Sequence, residues 1–363
     1  MGTIKRTFAN NILTSGKLDA TDLFGTIPAS NIDDTTVSAV TELPSALGDA
    51  IESTATDPVS PSEGQLWYNS SEGKLKIYAL VADAWSAGGN LNTTRAYFSG
   101  AGTQTAGVVA GGDTTPGTNS NATEKYNGTS WTSSGNMNTS KESLAGTGTQ
   151  TAAVYFGGYT TPPSPTGDAN TTELYNGTSW TTSGTMNTAR RGLSNSSAGT
   201  QTAALGFGGN PFIGVTTATE SFNGSTWTTV NSLNTARSYF AGCGTQTAAL
   251  GFGDTTATES WNGTSWTSVN SLNTGRGGLA GAGTQTLALA FGGGNPGGVL
   301  GATESWNGTN WTTTTSMATA RGGSLAGAGT QSAAFAAGGA APTYSNATEE
   351  FTGAFLATKT ITT

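Results

Sequence analysis

A tryptophan followed ten residues later by a basic side chain occurs six times in this chain: Trp85/Arg95, Trp131/Lys141, Trp180/Arg190, Trp227/Arg237, Trp266/Arg276 and Trp311/Arg321. A glutamate precedes five of those tryptophans by seven residues, at Glu124, Glu173, Glu220, Glu259 and Glu304. Between copies lie a Gly-Thr-Gln stretch and a short apolar run stopped by Gly or Gly-Gly. Self-similarity at a period of roughly 40–50 residues means one supersecondary unit stacked on copies of itself, because a single such unit cannot bury its own apolar face. This constrains the architecture before any individual residue does, and says far less about chemistry.

One repeat reads as four short strands. A small-residue run such as residues 278–283 leads through Gly-Thr-Gln-Thr into an apolar run, for example Ala152 to Phe156 or Ala203 to Phe207, that ends at Gly157-Gly158 or Gly208-Gly209. A loop of variable length then reaches Thr-Glu-x-aromatic, Asn-Gly and Thr-x-Trp-Thr. The Asn-Gly pairs at 127–128, 176–177, 223–224, 262–263 and 307–308 predict hairpins with type I′ turns, whose two central residues both need positive φ. Thr, Trp, Tyr and Phe around them suit a pleated surface. Beyond about residue 60 no stretch carries a helical apolar period. The repeat region is expected to be all β.

Four strands per repeat is the content of a β-propeller blade. The Gly-Gly pair, the aromatic before Asn-Gly and the Trp five residues after that aromatic resemble the kelch repeat over roughly residues 75–355. The pattern departs from the kelch form at Gly253, a single Gly before Asp254, and in its heavy use of Thr and Ala. The ends indicate how a ring would close. The copy that starts at Arg321 reaches Thr348-Glu349-Glu350-Phe351 with no following Trp, whereas Trp85 at the other end has no copy of its own. Phe351 would supply the third strand of the last blade, the Trp85 segment its outermost strand, and Glu349 the sixth acid. The expected fold is therefore an all-β, six-bladed kelch-like β-propeller over 83–363, closed by N- and C-terminal strands. Closure removes exposed strand edges.

With 54 glycines and 34% apolar residues the chain cannot build one large leucine-rich core, but it can fill thin layers between closely packed sheets. The net charge of −8 and the absence of any basic run disfavour nucleic acid or an anionic membrane as partner. The single Cys243 excludes an intrachain disulfide. No segment has the length of a signal-peptide core or of a membrane-spanning helix.

Residues 1–60 stand outside the repeat. They are polar, broken by Pro28 and Pro44, and poor in apolar residues, with one short helix expected from Ser45 to Ser53 where Leu47, Ala50 and Ile51 recur at helical spacing. So little apolar surface suits an extended arm that orders against a partner or an identical subunit. Residues 61–82 read as a hairpin connector, LWYN then KLKIY. This Glu-Gly-x-Leu-Trp-Tyr-Asn strand followed by Leu-Lys-x-Tyr and a Trp is similar to a module of tailed-bacteriophage virion proteins. The opening MGTIKRTFANNI resembles the first residues of such proteins, and KLDATDLFGTIPASNI resembles linkers in their tail fibres. The resemblance, and not composition, implies an attachment arm carrying a propeller on a phage particle.

The chain contains no His, which removes Ser-His-Asp and Cys-His catalysis and His-ligated zinc or copper, including the copper site of kelch-type oxidases. A glycosidase would need two carboxylates across a sugar, yet most acids here recur in one slot of every repeat. No catalytic residue, metal site or cofactor is expected. The basic series Arg95, Lys141, Arg190, Arg237, Arg276 and Arg321 admits two readings. It could ring the channel mouth on the face of the Gly-Gly loops and hold an anionic glycan. Alternatively each basic residue pairs internally with a repeat glutamate, which near-equal numbers of the two signs favour. Tyr126, Tyr175, Phe222, Trp261, Trp306 and Phe351 could stack sugars, but packing between blades accounts for them better. The loops that differ between repeats, at 113–122, 159–171, 210–218, 254–257, 294–302 and 340–347, are better candidates for a specific surface, with Tyr159, Phe212 and Tyr344 as its aromatic residues. Sequons such as that at Asn127 are by-products of the Asn-Gly-Thr turn.

These features point to a non-enzymatic structural protein of a bacteriophage virion, assembled in the host cytoplasm. It would be a homo-oligomeric tail or tail-fibre appendage whose residues 1–60 dock on other virion proteins and whose propeller meets a host-surface glycan or another virion protein. The alternatives are an internal hub or adaptor of the tail with no host ligand, and a bacterial surface lectin or adhesin.

Overall fold

The computed structural model describes residues 51–160, 167–193, 197–340 and 342–361, and within them every regular element is a strand. The described residues divide into two compact units, 51–82 with 354–361, and those between 83 and 353.

In the first unit Leu66–Asn69 and Lys74–Val81 form the expected hairpin. Glu52–Thr54 joins it in parallel, and Phe355–Thr360 adds antiparallel to Lys74–Val81. Two expectations change here. Residues 45–50 lie outside the described residues, but Glu52 and Ser53, the end of the expected helix, are extended and paired with Trp67 and Tyr68. The last strand, assigned above to the propeller, belongs to the hairpin sheet. Asp57 organises this sheet. Its Oδ1 accepts hydrogen bonds from Trp67 Nε1 (3.0 Å), Asn69 Nδ2 (2.8 Å) and Lys76 Nζ (2.9 Å). These donors, led by Lys76, hold the Asp57 carboxyl down at about 2.

The second unit is a β-propeller-like array of six four-stranded antiparallel sheets, plus a two-stranded hairpin of Gly294–Asn295 and Gly298–Val299. We number the sheets one to six along the chain. Sheet one comprises Ser99–Thr103, Ala106–Ala110, Thr123–Tyr126 and Trp131–Ser134. Sheets two to five repeat this sequential order. Sheet six takes Ala326–Gly329, Ala333–Ala337 and Thr348–Thr352 from the end of the unit and Ala84–Ala87 from its start, with Phe351 opposite Trp85. The strand exchange read from the unmatched tryptophan is therefore present.

Apolar side chains fill six layers, one between each pair of neighbouring sheets. The layer of Phe252, Leu272, Leu279, Trp306 and Trp311 lies between sheets four and five, and that of Phe98, Val109, Trp131, Ala326 and Phe335 between sheets one and six. The second strand of each sheet has an apolar core layer on both faces, so its run is buried without alternation, as in Ala153 to Phe156. Glycines let the first strands approach. A Cβ on Gly100 would stand 3.2 Å from the carbonyl oxygen of Gly327 in sheet six. Two series of side-chain bonds repeat this connection. Each repeat Trp donates its indole N–H to a Thr of the preceding sheet, among them Trp180 to Thr123 (3.0 Å), Trp131 to Thr348 (2.9 Å) and Trp85 to Thr303 (3.1 Å). Each Gly-Thr-Gln glutamine donates likewise, as Gln150 to the Tyr126 carbonyl (2.6 Å) and Gln104 to that of Phe351 (2.8 Å).

The Asn-Gly hairpins differ in detail from the expected turn. Gly128 has φ +88°, but Asn127 does not have positive φ, and the loop between the paired Tyr126 and Trp131 is four residues long. Asn127 Oδ1 accepts the N–H groups of Thr129 (2.9 Å) and Ser130 (2.8 Å). This side-chain cap replaces the two-residue turn.

Candidate functional site

The repeated charges come first, because their placement decides what remains for a ligand. Arg95 Nη2 donates to Glu124 Oε1 (2.6 Å), and Nη1 donates to the carbonyls of Ala122 (3.0 Å) and Gly111 (3.2 Å). Arg190 meets Glu220 (3.0 Å), Arg276 meets Glu304 (2.6 Å), Arg321 meets Glu349 (3.0 Å), and Arg237 donates to Glu259. Lys141 is the loose member, 3.6 Å from Glu173, with Thr171 Oγ1 at 3.1 Å. The second oxygen of each carboxylate accepts the N–H of the loop before the basic residue, from Asn92, Asn138, Asn187, Asn234, Asn273 and Ala318.

All six basic residues are at most 2% exposed. Burial pulls Lys141 down to about 8 and Arg190 down to about 10, against the opposing pull of Glu173 and Glu220. The exposed cationic ring is thus corrected: Arg95, Lys141, Arg190, Arg237, Arg276 and Arg321 point inward. The Nε–H of each of the five arginines is left without a partner, and the Nη groups are what the carboxylate and carbonyls hold away from water. The repeat aromatics are buried too. Tyr126 and Trp131 stack at 4.7 Å, and Trp261 and Trp266 lie 5.4 Å apart.

Two residues after each basic position the chain turns through left-handed backbone. Tyr97 (φ 56°), Ser143 (54°), Gly192 (57°), Tyr239 (53°), Gly278 (61°) and Gly323 (63°) occupy this place, with Ser324 (52°) following in sheet six. The N–H of Ser143 donates to the carbonyl of Tyr97 (2.6 Å), Gly192 to Ser143 (2.8 Å), Tyr239 to Gly192 (2.8 Å) and Gly278 to Tyr239 (2.6 Å). Ser324 then donates to Gly278 (3.2 Å) and Tyr97 to Gly323 (2.9 Å), which returns the series to its start. Bulky side chains are rare in left-handed backbone. Two tyrosines nonetheless stand here, on sheets one and four, and their rings meet edge to face with centroids 6.4 Å apart. Tyr344 joins them 6.3 Å from Tyr97. All three rings are half-buried.

Carboxylates line one side of this cluster. In five of the six sheets the residue after the basic position pairs with the residue after Gly-Gly, which places Ala96 against Asp113, Glu142 against Tyr159 and Arg191 against Asn210. Asp113 Oδ2 accepts the Tyr344 hydroxyl (3.2 Å) and the Gly117 N–H (2.9 Å), while its Oδ1, also buried, receives no hydrogen bond. Burial and the Asp113 charge raise Glu142 to about 7, against the pull of Arg191. Arg191 is engaged elsewhere, with Nε 3.6 Å from Asp168 and its guanidinium 4.6 Å over the Tyr159 ring. Burial raises the Asp168 carboxyl as well. Sheets five and six carry only Gly277, Gly294, Gly322 and Ala340 in the same pairing. The face is polar and acidic on one side and bare backbone on the other.

Of the aromatic candidates named from sequence, Tyr159 and Tyr344 belong to this constellation. Phe212 lies on the sheet-three loop, 68% exposed beside Ile213. Sequence reasoning placed Asp113 and Asp168 only within the candidate loops 113–122 and 159–171, and did not find Tyr97, Tyr239, Glu142 or Arg191. The available signal was an aromatic at a repeat position held by Gly or Ser in the other four copies. Among the described residues no three His, Cys, Asp or Glu side chains are placed to hold a metal ion. Burial raises the Cys243 thiol and leaves it an inert donor to the Thr284 carbonyl.

Comparison with protein-family models and with curated proteins finds no match for this chain.

Proposed function

We propose that the six sheets are the blades of a closed, kelch-like propeller. We propose further that the protein is a structural component of a bacteriophage virion, a tail or tail-fibre appendage. Residues 1–60, of which 1–50 lie outside the described residues, dock it on other virion proteins as a homo-oligomer. The propeller presents the face of its variable loops to a host-surface glycan or to another virion protein. The observation that carries the binding part of this reading is the division of labour among charges. Every repeated basic residue is buried against a repeated glutamate, while several charges that break the repeat, Asp113 and Glu142 among them, lie with half-buried tyrosines on one face. A rigid scaffold with a single irregular face is the design of a binding module. The virion part rests on the resemblance of the 61–85 module, whose Trp67, Asn69 and Lys76 all converge on Asp57. Several copies on one particle would turn weak single contacts into avidity.

Cryo-electron microscopy of the particle tests the reading. Residues 1–60 running along neighbouring subunits, with the variable-loop face in solvent, is the expected result. A propeller buried on its loop face, with the arm free, would instead make the chain an internal hub of the tail.

A further inference from the structure

The cationic ring that could have recognised an anionic glycan is buried, and the groups at the loop face have the opposite sign. Tyr97, Tyr239 and Tyr344 offer half-exposed ring surface, as platforms for the C–H face of a pyranose or for a cation do. Asp113 is only 4% exposed, yet its Oδ1 has no hydrogen-bond donor. Its other oxygen holds the Tyr344 hydroxyl, which fixes the carboxylate at the tyrosine cluster. Glu142 precedes Ser143, whose N–H donates to the Tyr97 carbonyl (2.6 Å), and its carboxyl feels the Asp113 charge. The cation beside them, Arg191, is already held by Asp168 and Tyr159. An acid pair with one member buried, one half-buried and no committed cation is relieved by a ligand that brings positive charge and several N–H donors.

We propose that the Tyr97–Tyr239–Tyr344 cluster, with Asp113 and Glu142, is a binding site for an amino sugar, a pyranose bearing a free ammonium group. The ring lies against the tyrosines and the ammonium donates to Asp113 Oδ1 and to Glu142. Anionic sugars are repelled by the same pair. The inference rests on the host-glycan part of the proposed function for the sugar itself; the charge preference follows from the site.

The test uses the purified full chain and needs no particle, so its failure is separable from failure of the virion reading. Glucosamine, N-acetylglucosamine, N-acetylneuraminic acid and Nα-acetyl-lysine amide are titrated by isothermal calorimetry and saturation-transfer NMR. Glucosamine is expected to bind, with affinity at least roughly tenfold above the neutral and anionic sugars and above the lysine derivative. Asp113→Asn and Tyr97→Gly are expected to abolish that preference, with cooperative thermal unfolding that is not substantially lowered showing that the scaffold is intact. Glycine serves at Tyr97 because Gly192, Gly278 and Gly323 hold the same backbone in other sheets. Equal or tighter binding of the lysine derivative would assign the site to a protein partner and overturn the proposal. Preference for the anionic sugar, no sugar binding, or glucosamine binding unaffected by both variants would overturn it as well.

Discussion

The ring of buried ion pairs and the tyrosine face use the same residue types under opposite rules. In the ion-pair layer the six positions are nearly interchangeable: five Arg–Glu pairs and one Lys–Glu pair, each with its carboxylate also holding a loop N–H. At the face, no two of the five sheets that make this pairing carry the same residues in it, from Ala96/Asp113 to Gly322/Ala340. Sameness across repeats marks groups whose partners each repeat supplies for itself. Difference marks groups whose partners must be sought outside the ring. A buried pair that loses one member keeps an uncompensated charge, whereas a half-exposed face can lose a group and rehydrate. Substitutions of similar chemistry in the two layers should therefore have very different costs.

The largest effect is expected in the ion-pair layer. Glu220→Ala leaves the fully buried Arg190 without its carboxylate and the Asn187 N–H without its acceptor. A loss of about 3–5 kcal/mol is expected in equilibrium urea unfolding. The same substitution at Glu173 should cost less. Lys141 reaches that carboxylate only at 3.6 Å and already sits near 8, so it can shed its proton when the partner is gone. Equal losses at the two sites would mean that the Lys–Glu pair is as tightly built as the Arg–Glu pairs, and that the spacing difference carries no energy.

Much of this architecture was legible because it is written six times. The Trp, Glu and basic positions gave the repeat, and the unmatched Trp85 and Phe351 gave the strand exchange that pairs them. The direction in which the basic residues point was not legible. Spacing places a residue on a strand or loop, but whether its head group faces solvent depends on carbonyls such as those of Gly111 and Ala122, which carry no side-chain signature. The tyrosine face was harder still. Tyr97 and Tyr239 are 142 positions apart in the sequence and meet only because the sheets bearing them face one another at the hydrogen-bonded turn series. The Asn-Gly pairs announced hairpins correctly and turn type incorrectly, because an Asn that accepts two backbone N–H groups competes with an Asn at positive φ.

A smaller effect, of opposite sign, is expected at the face. Glu142 is raised from its ordinary 4.5 to about 7 by burial and by Asp113. The native chain then binds more protons than the unfolded chain between those values, so stability is full below about 4.5 and falls as pH rises through 7. Glu142→Gln removes the titration and should stabilise the protein at pH 8 by about 1–2 kcal/mol, after allowance for solvent screening of a half-exposed group. At pH 4 the two proteins should unfold together. Chemical denaturation across pH 4–8 checks this, and a Gln variant whose stability still falls over that range would place the titrating group elsewhere.

The smallest effect is expected where the side chain is largest. Tyr97→Gly removes a whole aromatic ring, which in the inter-sheet layers would cost several kcal/mol. Here it also releases a non-glycine residue from φ 56°, a conformation that costs about 1–3 kcal/mol. Lost ring contacts with Tyr239 and Tyr344, about 0.5–1.5 kcal/mol, and the added freedom of glycine in the unfolded chain, about 0.5–1 kcal/mol, oppose that gain. The net change in unfolding free energy is expected to stay within about 1 kcal/mol. A residue that can be deleted at so little cost, in a backbone position that glycine fills elsewhere in the ring, is not there to hold the ring together. A loss of 3 kcal/mol or more would reverse that conclusion and make the tyrosines an axial plug of the scaffold.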